Sequence, residues 1–481
     1  MILNSFDFLI MLPAVLIVYA CVAWMCRNSR HVAALSAVAL TAISYGFFIT
    51  YQPAGALLLF VVTLLTWVFA LILHRTASRP LLHRRILVTA FATLVLAPLL
   101  VFKYSHFIAD LFSRLAGNIA WDAPVAPAGA ALVVPLGISF FTFQAIGYMW
   151  DVYREKVAPE RNFLYYMLFV GFFPQIASGP ISKAAELLPQ IRNPRTIRYT
   201  DFTEGARYML WGYFLKAVVA DRLATFVNPV YADYSNFSGL TCFTASVFYS
   251  LQIYGDFAGY SLIALGVGRL FGFDLINNFR RPYLSHSVTE FWRRWHISLT
   301  RWLKDYVYIP LGGNRRGRGR TYGNIMATFA VSGLWHGANL TFIIWGAIHG
   351  FVQCIERLAR AGERPKSRIM LFVRIAVTFL IVNFAWIFFR LPSMHDAVAV
   401  IRRIFTLAPG AALVPEKSTM ALIAFGLTML FVSEIAEELG SGLRLLRNRR
   451  RWVRYLAFTG LLFIILTMGV LDSGQFIYVN F

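Results

Sequence analysis

NNFRRPYLSHSVTEFWRRWHISLTRWLKDYVYIPLGGNRRGRGR, residues 277–320, and VSGLWHGANLTFIIWGAIHG, residues 331–350, decide how the rest of the chain is read. The first stretch is basic and aromatic. It carries His286, His296, Glu290 and Asp305 among Trp292, Trp295 and Trp302. The second is apolar, yet holds His336 between Trp335 and Gly337, with His349 near its end. A half that can face water is joined to a half that enters a membrane with a histidine in it. An ionisable group at membrane depth is expensive and by default marks a working site.

Working outward, the 481 residues are 58% hydrophobic and only 14% charged, with a mean hydropathy of +0.61. A soluble protein carries about 25% charged residues, so the chain reads as a polytopic membrane protein. The net charge of +22 comes from arginine clusters beside apolar runs, where cations set topology and meet anionic headgroups. No extended soluble basic domain is present, which excludes a nucleic-acid partner. Cys21, Cys26, Cys242 and Cys354 lie in or at the ends of apolar runs without CxxC spacing and read as packing residues.

A spanning helix needs about 20 mainly apolar residues. Candidates are 8–25, 32–49, 54–73, 86–103, 131–150, 163–177, 206–231, 243–271, 325–336, 340–354, 369–389, 420–435 and 452–470. The segment 163–177 contains Pro174, and 325–336 is half a membrane thick. Both read as broken or re-entrant, which is tolerated where protein covers the backbone. Arg27 and Arg30, Arg75–Arg85, Arg154–Arg161, Arg315–Arg320, Arg357–Arg368 and Arg444–Arg454 mark cytoplasmic loops. By the positive-inside rule both termini are then outside the cytoplasm. No cation precedes Arg27, so the first helix is expected to stay uncleaved. No internal repeat is visible, and 1–481 reads as a single membrane-embedded domain with its core motif at 277–350.

Several side chains invite a chemical reading and a bland one together. His336, among Gly333, Gly337 and Ala338, can serve as a neutral base for a hydroxyl, because burial disfavours the charged imidazole. It can also be a buried histidine bonded to a neighbouring helix. The small residues around it allow close helix packing or close approach of a substrate. They also suggest that His336→Ala would fold undisturbed. Residues 290–306, with His296, read as one amphipathic helix lying along the cytoplasmic surface. Lys216, Asp221 and Asp256 read as an interhelical pair or as the lining of a polar cavity. PLGGNRRGRGR is not a Walker loop, since GK[ST] is absent. Its Arg315, Arg316 and Arg318 meet lipid phosphates or draw an anionic donor. No metal-ligand spacing and no GxSxG serine motif occurs.

NFRRPYLSHSVTEFWRRWHISLTRWLKDYVYIPLGGNRRG with GLWHGANLTFIIWGAIHG closely resembles the membrane-bound O-acyltransferase family. Within it, the likeness is to the alginate O-acetylation branch and, more distantly, to the teichoic-acid D-alanylation proteins. PLGISFFTFQAIGYMWDVYR (135–154), GFFPQIASGPI (171–181), IYGDFAGYS (253–261) and the terminal FIYVNF resemble the same branch. The resemblance implies an all-α membrane fold, a ring of about 11–13 tilted and re-entrant helices around a thin catalytic centre. It assigns catalysis to His336 and His296, with Trp335 and Asn339 flanking the first. Asp305, Asp256, Arg315, Arg316 and Arg318 complete the candidate donor- and acceptor-binding set. It implies no metal and no bound cofactor. The donor would be a cytoplasmic acyl thioester, acetyl-coenzyme A or an acyl-carrier protein. The acceptor would be an extracytoplasmic polysaccharide, reached directly or through periplasmic acetyltransferase-type partners, and the location the bacterial inner membrane. D-alanyl or other acyl transfer to teichoic acid or lipid is the alternative within the family. A transporter of polymer precursors, using Asp256, Lys216 and the histidines as pathway residues, is the alternative outside it; the paired broken helices of related halves that such a protein shows are not visible.

Overall fold

The computed structural model describes residues 3, 6–25, 29, 31–117, 134–176, 179–359, 363–440, 446 and 450–470. Arg27, Arg30, Cys26, Arg444, the stretch 118–133 and the C-terminal 471–481 therefore lie outside the described residues, as do both chain ends used for topology. The described elements are helical, and they divide into two compact units, Met1–Met209 with Ser261–Ile276, and Leu210–Tyr260 with Asn277–Phe481.

The first unit holds α1 (Phe6–Met25), α2 (Val32–Tyr51), α3 (Pro53–Arg75), α4 (Leu81–Leu99) with a π-helical end (Leu100–Tyr104), and α5 (Ser105–Leu115). It continues with α6 (Ile138–Tyr153), α7 (Phe163–Gly171), α8 (Phe173–Ile176), α9 (Ala184–Arg192) and most of α10 (Tyr199–Tyr213). Pro53 opens α3 at the first helical position, where its missing N–H costs nothing. The expected break near Pro174 is present: α7 stops at Phe172, whose backbone is extended. The side chain of Asn162 caps the start of α7 by accepting from Leu164 N. Phe69 of α3 stacks on Phe91 of α4 at 3.9 Å. The main chain of Glu160 accepts from the Trp67 indole at 2.8 Å, and its carboxylate takes Arg192 at 2.6 Å.

The second unit holds the end of α10, a π-helical turn (Phe214–Ala220), α11 (Asp221–Ala232) and most of α12 (Gly239–Leu270). Then come α13 (Val288–Arg294), α14 (Ile297–Leu303) with a π-helical turn (Lys304–Tyr308), α15 (Arg318–His336) and α16 (Leu340–Leu358). It ends with α17 (Arg368–Arg390), α18 (Met394–Phe405), α19 (Lys417–Glu438) and α20 (Arg451–Met468).

Among the described residues, seven helices are long and apolar enough to cross a membrane by length and composition: α1 from Asp7, α2, α3, Leu81–Tyr104, α17, α19 and α20. They expose large apolar side chains such as Ile17, Leu82, Phe372 and Leu456, as lipid-facing helices do. The other sequence candidates also fold as helices, but shorter or more polar ones. Two boundaries move. The half-membrane segment at 325–336 lengthens backwards to Arg318, giving 19 residues. The segment starting at 131 is helical only from Ile138 among its described residues.

Three buried charged residues of the second unit, Lys216, Asp221 and Asp256, pair with one another. Lys216 Nζ lies 2.6 Å from Asp221 Oδ1 and 2.7 Å from Asp256 Oδ1, with all three side chains buried. The spacing Gly255-xxx-Gly259 makes this possible. A Cβ on Gly255 would lie 2.9 Å from Leu215 O, and one on Gly259 2.7 Å from Gly212 O. Only glycine lets α12 approach the π-helical turn closely enough for Asp256 to reach Lys216. A charge costing about 2.5–3.5 kcal/mol alone at a helix centre is thereby compensated inside the unit.

Candidate active site

Residues 290–306 do not form the single surface helix that their periodicity predicts. α13 ends at Arg294 and α14 begins at Ile297, because His296 takes a left-handed backbone, φ 42° and ψ 54°. A non-glycine residue in that region pays about 1–2 kcal/mol, so something must hold it there. The segment 277–284 does. Asn278 O accepts from Ile297 N at 2.9 Å, and Asn278 Oδ1 from Ser298 N at 3.1 Å. Arg280 N donates to Arg294 O at 2.9 Å. Asn278 is fully buried, so these bonds replace water that cannot reach the break. Trp292, Trp295 and Trp302, expected to lie partly in lipid or protein, are buried in protein.

The start of α13 is capped twice. Ser287 accepts from Glu290 N. Glu356 of α16 accepts from Thr289 N at 2.9 Å and from Thr289 Oγ1 at 2.7 Å. At the other end, Arg294 bonds Glu290 at 2.6 Å and Glu438 of α19 at 2.9 and 3.0 Å. Arg281 meets the same Glu438 at 2.7 Å. Burial works against the Arg294 charge, but its bonds to Glu438 and Glu290 outweigh that and hold its pKa above the ordinary value. These arginines brace the motif rather than await a ligand.

The break turns the His296 imidazole inward, fully buried. Its ring meets Phe257 of α12 edge-on at 4.7 Å and Trp335 at 5.8 Å. Trp335 in turn lies 4.8 Å from His336. The two histidines singled out by sequence therefore both lie against one indole. His336 ends α15 and is 2% exposed. Trp345 of α16 lies 5.0 Å from it and Phe389 of α17 5.1 Å. The expectation that its side chain matters little for packing is thus corrected: three aromatic rings rest on it.

The small residues around His336 serve the packing of α15 against α16. A Cβ on Gly333 would overlap the Phe342 carbonyl, one on Gly346 the Phe329 carbonyl, and one on Gly337 the Phe342 ring. Asn339 caps α16 by accepting from Thr341 N at 3.2 Å, and its amide donates to Pro392 O. His349 is fully buried beside Trp292 and Trp345, at 5.2 and 5.1 Å. Its two ring nitrogens and the Trp345 Nε1 have no hydrogen-bond partner among the described residues. Such stranded polar atoms inside an aromatic wall call for an explanation beyond packing.

The remaining candidates sit apart. Asp256 is held by Lys216, although its neighbour Phe257 touches His296. Asp305 lies half-buried in the π-helical turn after α14. Arg315, Arg316 and Arg318 are exposed, and the structure does not bring them to the histidines. Sequence reasoning missed Asn278, Glu356, Phe257 and Phe389. Only the adjacent asparagines of NNF gave any local signal, since the other three act across long sequence separations.

The family model for membrane-bound O-acyltransferases matches residues 154–394, which takes in α13 to α17 and both histidines. A protein of Pseudomonas syringae pv. tomato described as probable alginate O-acetylase AlgI is 40% identical over 296 residues, 62% of this chain and 56% of the relative. The peptidoglycan O-acetyltransferase of Helicobacter pylori is 36% identical over 328 residues, 63% of this chain and 61% of the relative. The teichoic acid D-alanyltransferase of Streptococcus thermophilus is 31% identical over 228 residues, 45% of this chain and 55% of the relative. The chain thus spans between half and two thirds of the length of these relatives. With half of its residues under the family model, and with both histidines walled in by the motif's own aromatic rings, the chain belongs to the membrane-bound O-acyltransferase family.

Proposed function

We propose that the chain is an O-acyltransferase of the bacterial inner membrane, with both termini outside the cytoplasm. It moves an acetyl group from a cytoplasmic thioester to a hydroxyl of an extracytoplasmic polysaccharide, directly or through periplasmic partner proteins. The observation that carries this reading is that His296 and His336, both buried, each lie against the Trp335 ring. Neutral His336 takes the proton of the acceptor hydroxyl as its oxygen bonds to the thioester carbonyl carbon. The carbon–sulfur bond breaks and the thiolate leaves towards the cytoplasm. His296, on its fixed left-handed turn, positions the thioester or stabilises the developing oxyanion. No bound cofactor enters the scheme, since the acyl carrier is itself the substrate.

The test is acyl incorporation into polymer by cells carrying each variant at matched membrane levels. His336→Gln keeps volume and hydrogen bonding but is not a base at neutral pH. It should lose about 10²–10⁴-fold in turnover. His336→Ala should lose as much and also melt earlier, because Trp335, Trp345 and Phe389 lose a neighbour. Normal acetylation by folded His336→Gln protein would remove the base assignment. Incorporation of D-alanine instead of acetate would redirect the donor assignment.

A further inference from the structure

The end of α17 away from the basic loop before it leads into α18, a two-faced helix that the acyl-transfer scheme does not use. Ser393 caps α18 by accepting from Asp396 N at 3.0 Å. Ala397, Val400 and Ile404 form its buried face. His395, Val398, Arg402 and Phe405, spaced by three, four and three residues, form one exposed row on the other side. Asp396, the only acid of the helix, is bonded within the protein, accepting from Tyr234 Oη at 2.9 Å. Arg403 is likewise taken, donating to Phe237 O at 2.6 Å and to Pro409 O at 2.9 Å. Gly239 N donates to Ala408 O at 2.9 Å and Ala411 N to Asn236 O at 2.8 Å, which fastens the segment after α18 to the start of α12. α18 is thus held firmly in place, with Val398, Phe405 and the Arg402 guanidinium turned outward.

The end of α18 shows that this outward face has a use. Ala408 N donates to Arg403 O at 3.0 Å and Leu407 N to Ile404 O at 3.3 Å, the two bonds of a Schellman turn. Glycine ordinarily fills the left-handed place in that turn. Here Leu407 fills it, at φ 47° and at a steric cost that glycine avoids. Its side chain is 75% exposed, beside Phe405 at 71% and Val398 at 53%. A strained leucine that points out of the fold is offset by something apolar outside it. The surroundings name that phase. α17 and α19 are both long and apolar enough to cross a membrane. Only residues 391–393 separate α18 from α17, and α19 begins at Lys417. α18 therefore lies where bilayer meets water.

We infer that α18 is an interfacial anchor for anionic phospholipid: Val398, Phe405 and Leu407 enter the boundary between headgroups and acyl chains, and Arg402 meets lipid phosphate. Apolar side chains interleaved with a cation along one helix face suit that boundary better than water or hydrocarbon alone. The exposed row has no acid to repel a phosphate, and the guanidinium fork pairs with two phosphate oxygens at once. A protein partner fits less well. A stable interface uses about 20–30 residues a side, and His395, Val398, Arg402, Phe405 and Leu407 make up the whole of this row. On the orientation proposed above, the leaflet is the outer one. Arginine is scarce on that side, and lipid phosphate accounts for Arg402 there.

The test is fluorescence quenching of purified protein in lipid nanodiscs. A bimane label is attached in turn to Val398→Cys, Phe405→Cys, Leu407→Cys and, as a control in the exposed loop, Ala412→Cys. The background carries Cys21→Ala, Cys26→Ala, Cys242→Ala and Cys354→Ala, and each labelled protein is compared only if it melts where the unaltered protein does. Phospholipid with an acyl-chain nitroxide should quench the first three labels, and iodide should not. Ala412→Cys should behave in the opposite way. With a small share of nitroxide-bearing phosphatidylglycerol in phosphatidylcholine, the label on Leu407→Cys should report local enrichment of the anionic lipid. Arg402→Gln should lower that enrichment about fivefold, the loss of one surface cation, and Arg402→Lys should retain most of it. Iodide quenching at Phe405→Cys and Leu407→Cys equal to that at Ala412→Cys would place α18 in water and overturn the inference. Shielding from both quenchers would overturn it in favour of a protein partner or a second copy of the chain. Absence of phosphatidylglycerol enrichment, or enrichment indifferent to Arg402→Gln, would overturn the anionic lipid as ligand. Both faces of a nanodisc are open, so these readings stand whether or not the proposed orientation and acyl transfer hold.

Discussion

Two parts of the motif need left-handed backbone, and they obtain it differently. The arginine-bearing loop after α14 uses glycine: Gly312, Gly313 and Gly317 have φ of 113°, 56° and 85°. The buried segment uses Arg281 and His296, with φ of 50° and 42°. Glycine adopts these angles without steric cost, while other residues do so at about 1–2 kcal/mol each. A side chain kept at such a position has a use that glycine cannot supply. For Arg281 the use is visible in its bonds to Glu437 and Glu438. For His296 it is the imidazole set against Trp335. Strain held by surrounding bonds is a feature of working sites, and the loop shows none of it.

The sharpest way to break this contrast is to replace His296 by glycine and by alanine in parallel. Both variants lose the imidazole, so both should lose about 10²–10³-fold in acyl transfer, the effect of removing one oxyanion donor. Their stabilities should differ. Alanine must still adopt the left-handed turn and glycine does so freely, so His296→Gly should be the more stable by about 1 kcal/mol. Thermal unfolding in detergent measures the gap. An alanine variant that melts at or above the glycine variant would mean that the turn is not strained.

A next smaller effect concerns the braces. Arg294→Gln leaves Glu438 and Glu290 facing a neutral amide in a half-buried place and should cost about 1–3 kcal/mol. Glu438→Gln in the same protein should cost less than it does alone, since the two share one network. Additive losses would show that Arg294 and Glu438 act independently. In the loop, Gly313→Ala places a side chain at φ 56° and should cost about 1 kcal/mol, with acyl transfer unchanged. That last outcome separates the loop from the histidine pair.

Much of this was legible in the sequence. The membrane class, the helix near Pro174 that cannot continue, and His336 and His296 as the residues of interest follow from apolar run length and from the motif. The break at His296 was not legible. Its periodicity is helical through Tyr306, and the bonds that overrule it come from Asn278, on the strap before α13. The roles of Arg281 and Arg294 were hidden for a similar reason. Their partners Glu437 and Glu438 lie more than a hundred residues along the chain, and a basic aromatic stripe looks the same whether lipid or glutamate faces it. The GxxxG spacing at Gly255 and Gly259 was readable and explains the Lys216–Asp256 pair, but only once the helix it approaches was known.

The smallest expected effect belongs to the exposed arginines. Arg315, Arg316 and Arg318 face solvent, so they act on an anionic donor through long-range attraction rather than through a fixed contact. Such attraction is screened over about 8 Å at physiological ionic strength. Replacing all three by alanine should therefore raise the donor KM a few-fold at low salt, leave kcat unchanged, and converge on the unaltered protein as salt is added. The same substitution in the buried segment would lower stability at every salt concentration, because the ion pairs of Arg281 and Arg294 are partly shielded from solvent. Steady-state kinetics with the acyl-thioester donor across a salt series distinguish the two behaviours. A kcat loss that persists at high salt would place the loop in contact with the reacting donor and erase the difference between the two regions. An unchanged KM at low salt would leave lipid headgroups as the partners of these three arginines.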